Sequence, residues 1–377
     1  MSAAPAVPEN LRFCTTADGV RLATCTLGQG PLVIKAANWL GNLRADAVLP
    51  STRHWVDQIT RTHTLHWYDA RGCGLSDREV DDVSLDAWVR DLEAVADACG
   101  QERFVLLGIS QGAAIAIRYA VRHPERVRGL VLYAAFVRGV FHQGLSARTE
   151  AVFREMERIA ELGWGHDSGA FRRLFTDHLM PAAPPDVLEA YDQLHRGSVS
   201  GPMAARYMRA FYELDARADA PQVRCPTLVM HVAGDSLILQ REGELVASLI
   251  PGARWVSAPG QNHLPLAGDP GWPTLQREMS AFLAALDPQA EEGAQAVSTT
   301  SAASAAPALT ERQREVLRRV ARGLTDKQIA RELQLSPRTV EMHVARAVAA
   351  LGARNRADAV SRAHQAGLLA GTAPPLP

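Results

Sequence analysis

Read for the spacing of its apolar and polar positions, the chain falls into two unlike stretches. Up to about residue 286, short β-rich apolar runs alternate with helical patterns: Leu32 to Ala36, a helix, Thr64 to Tyr68, a helix from about Leu85, Phe104 to Ile109, a helix from Gln111, then Val127 to Tyr133. Such alternation predicts a mostly parallel sheet wrapped by helices. Leu11 to Thr26, with Asp18-Gly19 at its middle, predicts an antiparallel hairpin leading into that sheet. From about Phe136 to Ala220 the strand signals stop and helical patterns with aromatics accumulate, which predicts a helical insertion. The alternation resumes with Thr227 to Val232, a helix from about Gln240, Arg254 to Ser257, and a last helix near Trp272 to Leu286.

The second stretch begins where the pattern dissolves. From about Asp287 to Ala308 the residues are almost all Ala, Ser, Thr, Gln, Glu and Gly, without periodic apolar positions. This predicts a flexible linker over 287–308, whose r.m.s. span as a random coil is roughly 25 Å. Beyond it, residues 309–377 predict a small all-helical domain. Thr310 with Gln313 and Thr325 with Gln328 fit capping boxes, and Ser336 followed by Pro337 fits an N-cap with proline in the first turn. Three apolar stripes follow these starts: Val316, Leu317 and Val320; Ile329, Ala330 and Leu333; Val340, Val344, Ala347 and Leu351. They can close into one small core.

Composition changes this picture in three ways. A chain of 377 residues with 47% hydrophobic content can bury more than one core. No apolar run reaches the roughly 18 residues of a membrane helix, and the start, MSAAPAVPENLRF, lacks the basic and apolar segments of a secretion signal, so a cytoplasmic protein without membrane contact is expected. The net charge of -1 conceals an asymmetry. From Leu309 onward there are 12 Lys+Arg against 6 Asp+Glu, leaving 28 against 35 upstream, so the tail is +6 and the body -7. A small basic module on an acidic body suits contact with nucleic acid. Cys14, Cys25, Cys73, Cys99 and Cys225 are scattered and predict reduced packing residues, and no His, Cys or carboxylate spacing predicts a metal or cofactor site.

The chemistry concentrates at Gly108-Ile109-Ser110-Gln111-Gly112. This G-x-S-x-G segment follows an apolar strand and opens a helix, the turn that lifts a serine hydroxyl above the carboxyl edge of a sheet. Downstream, Asp235 follows the strand Leu228 to Val232, and His263 follows the strand Arg254 to Ser257. With Asp69-Ala70-Arg71-Gly72-Cys73-Gly74-Leu75-Ser76, these features make residues 1–286 closely resemble an α/β hydrolase, with a helical cap over about 136–220. The resemblance implies a catalytic triad of Ser110, Asp235 and His263 and an oxyanion hole formed by the Gln111 and Trp39 backbone N–H groups. Where relatives usually show His-Gly in the second oxyanion loop, this chain has Ala37-Asn38-Trp39. The cap aromatics, together with Trp39, are expected to shape a large apolar ligand pocket.

The tail resembles the LuxR-type DNA-binding domain over its whole length, through Leu309-Thr310, Gly323-Leu324-Thr325, Lys327-Gln328-Ile329-Ala330, Leu335-Ser336, Thr339-Val340 and His343-Val344. That resemblance implies that the helix from Pro337 to Leu351 enters the major groove of double-stranded DNA. Arg338, Thr339, His343 and Arg346 would then face the DNA, and Lys327, Arg354 and Arg356 would contact phosphates. Thr339, His343 and Arg346 share one helical face by their spacing. Glu341 stands where relatives usually carry Lys. Such domains bind as dimers, and either the hydrolase-like body or the helix from about Arg356 to Leu369 could supply the contact.

The combined expectation is a transcriptional regulator whose hydrolase-like domain senses, or slowly hydrolyses, a small apolar ester or lactone. The alternative is a working serine hydrolase of esterase or lactonase type with an appended DNA reader. A third reading makes the body an inert dimerisation scaffold; an intact Ser110, Asp235 and His263 argues against it.

Overall fold

The computed structural model describes residues 10–46, 49–166, 169–287, 309–322, 324–333, 335–351, 353, 356–365 and 368–369. The expected linker, apart from Asp287, and the candidate phosphate contact Arg354 lie outside the described residues. The chain divides into two compact units, Met1–Glu291 and Glu292–Pro377.

The first unit is built on one eight-stranded sheet. Its strands are β1 (Leu11–Thr15), β2 (Arg21–Leu27), β3 (Leu32–Lys35), β4 (Thr64–Tyr68), β5 (Phe104–Ile109), β6 (Val127–Tyr133), β7 (Thr227–Val232) and β8 (Arg254–Ala258), in the spatial order β1-β2-β4-β3-β5-β6-β7-β8. β1 and β2 form the expected hairpin, which joins β4 antiparallel, and every later pairing is parallel. Central strands covered on both faces read as continuous apolar runs rather than alternating ones, and all six residues of β5 are buried.

The five side chains of β5 still divide by pleat. Phe104 and Leu106 join one core with Trp88, Ile115 and Ile117, while Val105, Leu107 and Ile109 join the other with Trp55, Trp67, Leu275 and Met279. Helices α3 (Leu85–Ala98) and α4 (Gln111–Arg122) therefore cover one face, and α2 (Pro50–Ile59) and α10 (Trp272–Ala285) the other. The short α1 (Leu43–Asp46) precedes α2, and α9 (Gln240–Leu249) links the last two strands. Because Trp67 and Trp88 are almost wholly buried, truncating either to Ala should cost about 3–5 kcal/mol. The chain leaves β3 toward β4 on one side and returns to β5 on the other. Open sheets of this kind bind ligands beyond the carboxyl ends of the strands at such a reversal.

The insertion between β6 and β7 folds as α5 (Ala147–Gly163), α6 (Ala170–Leu179), α7 (Pro185–Ser198) and α8 (Gly201–Glu213). A buried guanidinium holds it together. Arg172 is bidentate to Asp192 at 3.0 Å on both arms and donates to the Trp164 and His166 carbonyls at 2.7 Å, tying α6 to α7 and to the end of α5. A glycine allows the close approach of α8, since a Cβ on Gly201 would lie 2.3 Å from the Glu161 carbonyl oxygen.

The second unit contains α11 (Glu311–Ala321), α12 (Asp326–Leu333), α13 (Pro337–Ala350) and α14 (Arg356–Gln365). The three helix starts are capped as the sequence predicts: Gln313 N–H and Gln328 N–H donate to the Thr310 and Thr325 hydroxyls, and Thr339 N–H donates to the Ser336 hydroxyl. The apolar stripes form two adjoining clusters, one with Val316, Ile329, Leu333 and Val340, the other with Leu309, Leu317, Ala347, Leu351 and residues of α14.

Candidate active site

Ser110 terminates β5 and is the N-cap of α4, with φ 53° and ψ -123°. A positive φ at a non-glycine residue is strained, and it persists only where the surroundings fix it. Here the neighbours do so by excluding side chains. A Cβ on Gly108 would lie 2.6 Å from Ala113 Cα, and one on Gly112 would lie 3.1 Å from both the Ala36 and Ala37 carbonyl oxygens. The same approach sets the first turn of α4, including Gln111, against the loop that carries Trp39. Ser110 N–H donates to the Tyr133 carbonyl at 2.8 Å, which anchors the turn to β6.

Asp235 and His263 meet from the ends of β7 and β8. His263 Nδ1 stands 2.7 Å from Asp235 Oδ2, with both side chains buried. Asp235 Oδ1 accepts the Leu237 and Ile238 N–H groups at 2.9 and 3.0 Å. Burial alone would raise the Asp235 pKa. The adjacent His263 and His231 outweigh it and hold the carboxyl well below the usual carboxylate range.

Three supporting residues were not among the sequence candidates. His231, within β7, approaches Asp235 Oδ2 at 3.4 Å and contacts the Ile238 carbonyl at 2.8 Å through Nε2. Asn262 accepts from Ala182 N–H at 2.9 Å and donates to Asp269 at 2.8 Å, while His263 N–H donates to the Leu179 carbonyl at 2.8 Å. The histidine loop is thereby clamped to the end of α6. Asp69 is buried and accepts Leu43 N–H and Leu75 N–H at 2.7 Å each, tying the segment after the Trp39 loop to the turn after β4. The spacing of His231, four residues before Asp235, was a legible signal; the partners of Asn262 and Asp69 are remote in sequence.

The Asp69–Ser76 segment is otherwise structural. Arg71 is buried against Asp91 and also pairs with Asp18. Burial pushes the Cys73 thiol up to about 12, so it is a packing residue.

Trp39 packs edge-on against Trp164 and Phe211, each with ring centroids 6.2 Å away. These contacts consume much of the aromatic surface expected to line a large pocket. A narrow cavity lies between α2 and strands β3 to β5, bounded by Trp39, Ile109, Leu264 and, from the cap, Tyr191.

In the second unit, Arg338 and Arg346 are exposed on α13, Thr339 and His343 are half-buried beside them, and Lys327 is exposed on α12. Glu341 is exposed on α13 too. Arg356 instead pairs with Asp326 at 3.1 Å and donates to the Leu324 carbonyl at 3.3 Å, joining α14 to the start of α12.

Residues 47–270 match the alpha/beta hydrolase fold family. The chain belongs to the α/β hydrolase family. Residues 307–363 match the bacterial regulatory proteins of the luxR family, so this hydrolase-fold chain also carries a LuxR-type DNA-binding domain. Among similar proteins, RutD of Klebsiella pneumoniae is 28% identical over 219 residues, 56% of this chain and 79% of that protein. The pimeloyl-[acyl-carrier protein] methyl ester esterase of Chromobacterium violaceum is 29% identical over 258 residues, 64% and 90% of the two chains. A solved hydrolase from Pseudomonas aeruginosa superposes on 67% of this chain and 91% of its own with a TM-score of 0.57 and 25% identity. Among the described residues, no helix is long and apolar enough to cross a membrane.

Proposed function

We propose that this protein is a cytoplasmic transcriptional regulator that binds double-stranded DNA as a homodimer and whose hydrolase domain senses a small ester or lactone. The observation that carries this reading is the union, in one chain, of a strained Ser110 turn, a hydrogen-bonded Asp235–His263 pair and a LuxR-family domain. A catalyst alone has no need of a DNA reader.

The site's chemistry follows from its parts. Ser110 Oγ attacks the acyl carbon as His263 Nε2 takes its proton, and Asp235, kept ionised, stabilises the imidazolium. The developing oxyanion is received by the Gln111 and Trp39 N–H groups. His263 then returns the proton to the leaving alkoxide, and water, deprotonated by His263, releases the acyl group. In the regulator this sequence is slow or stops at binding, and ligand occupancy alters the DNA-bound population. Arg338, Thr339, His343 and Arg346 read the major groove, while Lys327 and Arg354 sit near phosphates.

A second reading, a working esterase or lactonase, is favoured by the completeness of the Asp235 hydrogen-bond set. Intact-mass labelling with a fluorophosphonate separates both from an inert scaffold. A single adduct, absent from Ser110→Ala and His263→Ala, is expected, and a folded wild type that takes no label would sink the nucleophile assignment. Electrophoretic mobility shift of the same proteins then asks whether acylation changes DNA affinity, as the regulator requires and the pure hydrolase does not.

A further inference from the structure

The cavity between α2 and strands β3 to β5 is lined mainly by apolar side chains, with polar groups from Lys35, Asn38, Trp39, Ser51, Thr52, Trp67 and Tyr191 among them. Trp39 Nε1, Ser51 Oγ and Trp67 Nε1 are buried without a hydrogen-bond partner, and all three residues line it. Lys35 lines it as well, its ammonium donating to Asn38 Oδ1 at 2.6 Å, and no carboxylate does. An indole N–H can only donate. Leaving three buried polar groups unpaired is costly, and three around one cavity call for an occupant.

The occupant's chemistry and size are both constrained. A wall with two orphaned indole donors, a hydroxyl and a nearby ammonium matches an acceptor-rich anionic group, and the apolar remainder of the wall matches a short methylene chain. The space open to the centre of a water-sized sphere is about 50 Å³. A single water needs roughly 10–15 Å³ on this measure, so the cavity takes a group of a few heavy atoms rather than a long acyl chain. Ile109 and Leu264, which adjoin Ser110 and His263 in sequence, are part of its lining.

We propose that this cavity is the acyl site and that it selects a short acyl group ending in a carboxylate, the half-ester or lactone equivalent of a small dicarboxylic acid. The carboxylate is received by Trp39 Nε1, Ser51 Oγ and Trp67 Nε1 within the field of Lys35. The assignment deepens the reading of Ser110 as the nucleophile and rests on it for the orientation of the ligand, but not for binding itself.

The test is isothermal titration calorimetry on the full-length Ser110→Ala protein, which cannot turn over. The probes are monomethyl succinate and its uncharged isostere methyl 4-methylpentanoate. At least 10-fold tighter binding of the succinate half-ester is expected. Equal or tighter binding of the isostere, the result if ordered water alone satisfies these donors, would overturn the proposal. Adding Ser51→Ala or Trp67→Phe, which remove one donor each while keeping the wall, should bring the ratio of the two affinities to within about 2-fold. An unchanged ratio in both would also overturn it. Fluorophosphonate labelling of the wild type reports on Ser110 separately, so a dead nucleophile and a cavity without carboxylate preference are distinguishable.

Discussion

His231 precedes Asp235 by four residues and brings its Nε2 to 3.4 Å from Asp235 Oδ2, the oxygen that also meets His263 Nδ1. The carboxylate is thus held by two imidazoles and two backbone N–H groups, with its lone pairs engaged on every side. Gly243 makes room for the arrangement, since a Cβ there would lie 2.5 Å from His231 Nδ1. His231 acts on the reaction only through Asp235, as a positioning residue. His231→Phe should therefore slow fluorophosphonate labelling by about 10-fold, within the range seen when a supporting hydrogen bond is lost, and displace its pH profile. An unaltered rate and profile would reduce His231 to core packing.

The glycines flanking Ser110 make a second, purely steric prediction. Gly108→Ala forces a Cβ to within 2.6 Å of the Ala113 backbone, where nothing flexible can yield, and should cost about 1–3 kcal/mol in thermal or urea unfolding while abolishing labelling. Gly112→Ala meets two carbonyl oxygens at 3.1 Å and should be milder in stability. Equal stability of Gly108→Ala and wild type would mean that the turn is not held as described.

Acid stability follows from buried neutral histidines. Burial first, and then the Arg172 guanidinium, push the His195 pKa down to about 3, and burial pushes His66 down to about 4. The unfolded chain takes up these protons near pH 6.5 and the folded chain does not, so the unfolded state binds more protons and stability falls with pH below that point. Each such group removes up to about 1.4 kcal/mol per pH unit until its folded pKa is reached. Unfolding free energy measured from pH 7 to 4 should decline accordingly. His195→Phe, in a cage with Trp164 and Tyr191, should flatten that slope, and an unchanged slope would contradict it.

How far the sequence reached differs by feature. The strands were legible because buried parallel strands are short apolar runs, and the central ones were found with ends within a residue. The places of Ser110, Asp235 and His263 beyond the ends of β5, β7 and β8 were legible because each follows an apolar run that reads as a strand. Arg172 and Asp192 gave no signal, because an ion pair that staples two cap helices depends on where those helices turn. The packing of the cap aromatics was illegible for a related reason. Aromatic count reports available surface, and only packing shows that Trp39 spends its ring on Trp164 and Phe211. The role assigned to Arg356 came from the family resemblance, and its ion pair with Asp326, 30 residues away in sequence, left no signal there.

That ion pair separates two kinds of basic residue in the DNA-binding domain. Lys327 and Arg346 are exposed, so Lys327→Ala should weaken binding across all sequences and reduce the dependence of log affinity on log salt by about 0.9, one phosphate contact. Arg356→Ala should lower the thermal stability of the helical unit more than it lowers the salt slope, because its guanidinium already joins α14 to α12. Glu341 is the converse case: an exposed carboxylate on the helix assigned to the groove repels phosphate, and Glu341→Lys should tighten non-specific binding and steepen the slope by up to about 0.9. Fluorescence anisotropy with a labelled random duplex across a salt series measures all three. A Glu341→Lys protein with unchanged affinity and slope would place that face of α13 away from the DNA and require a different reading helix.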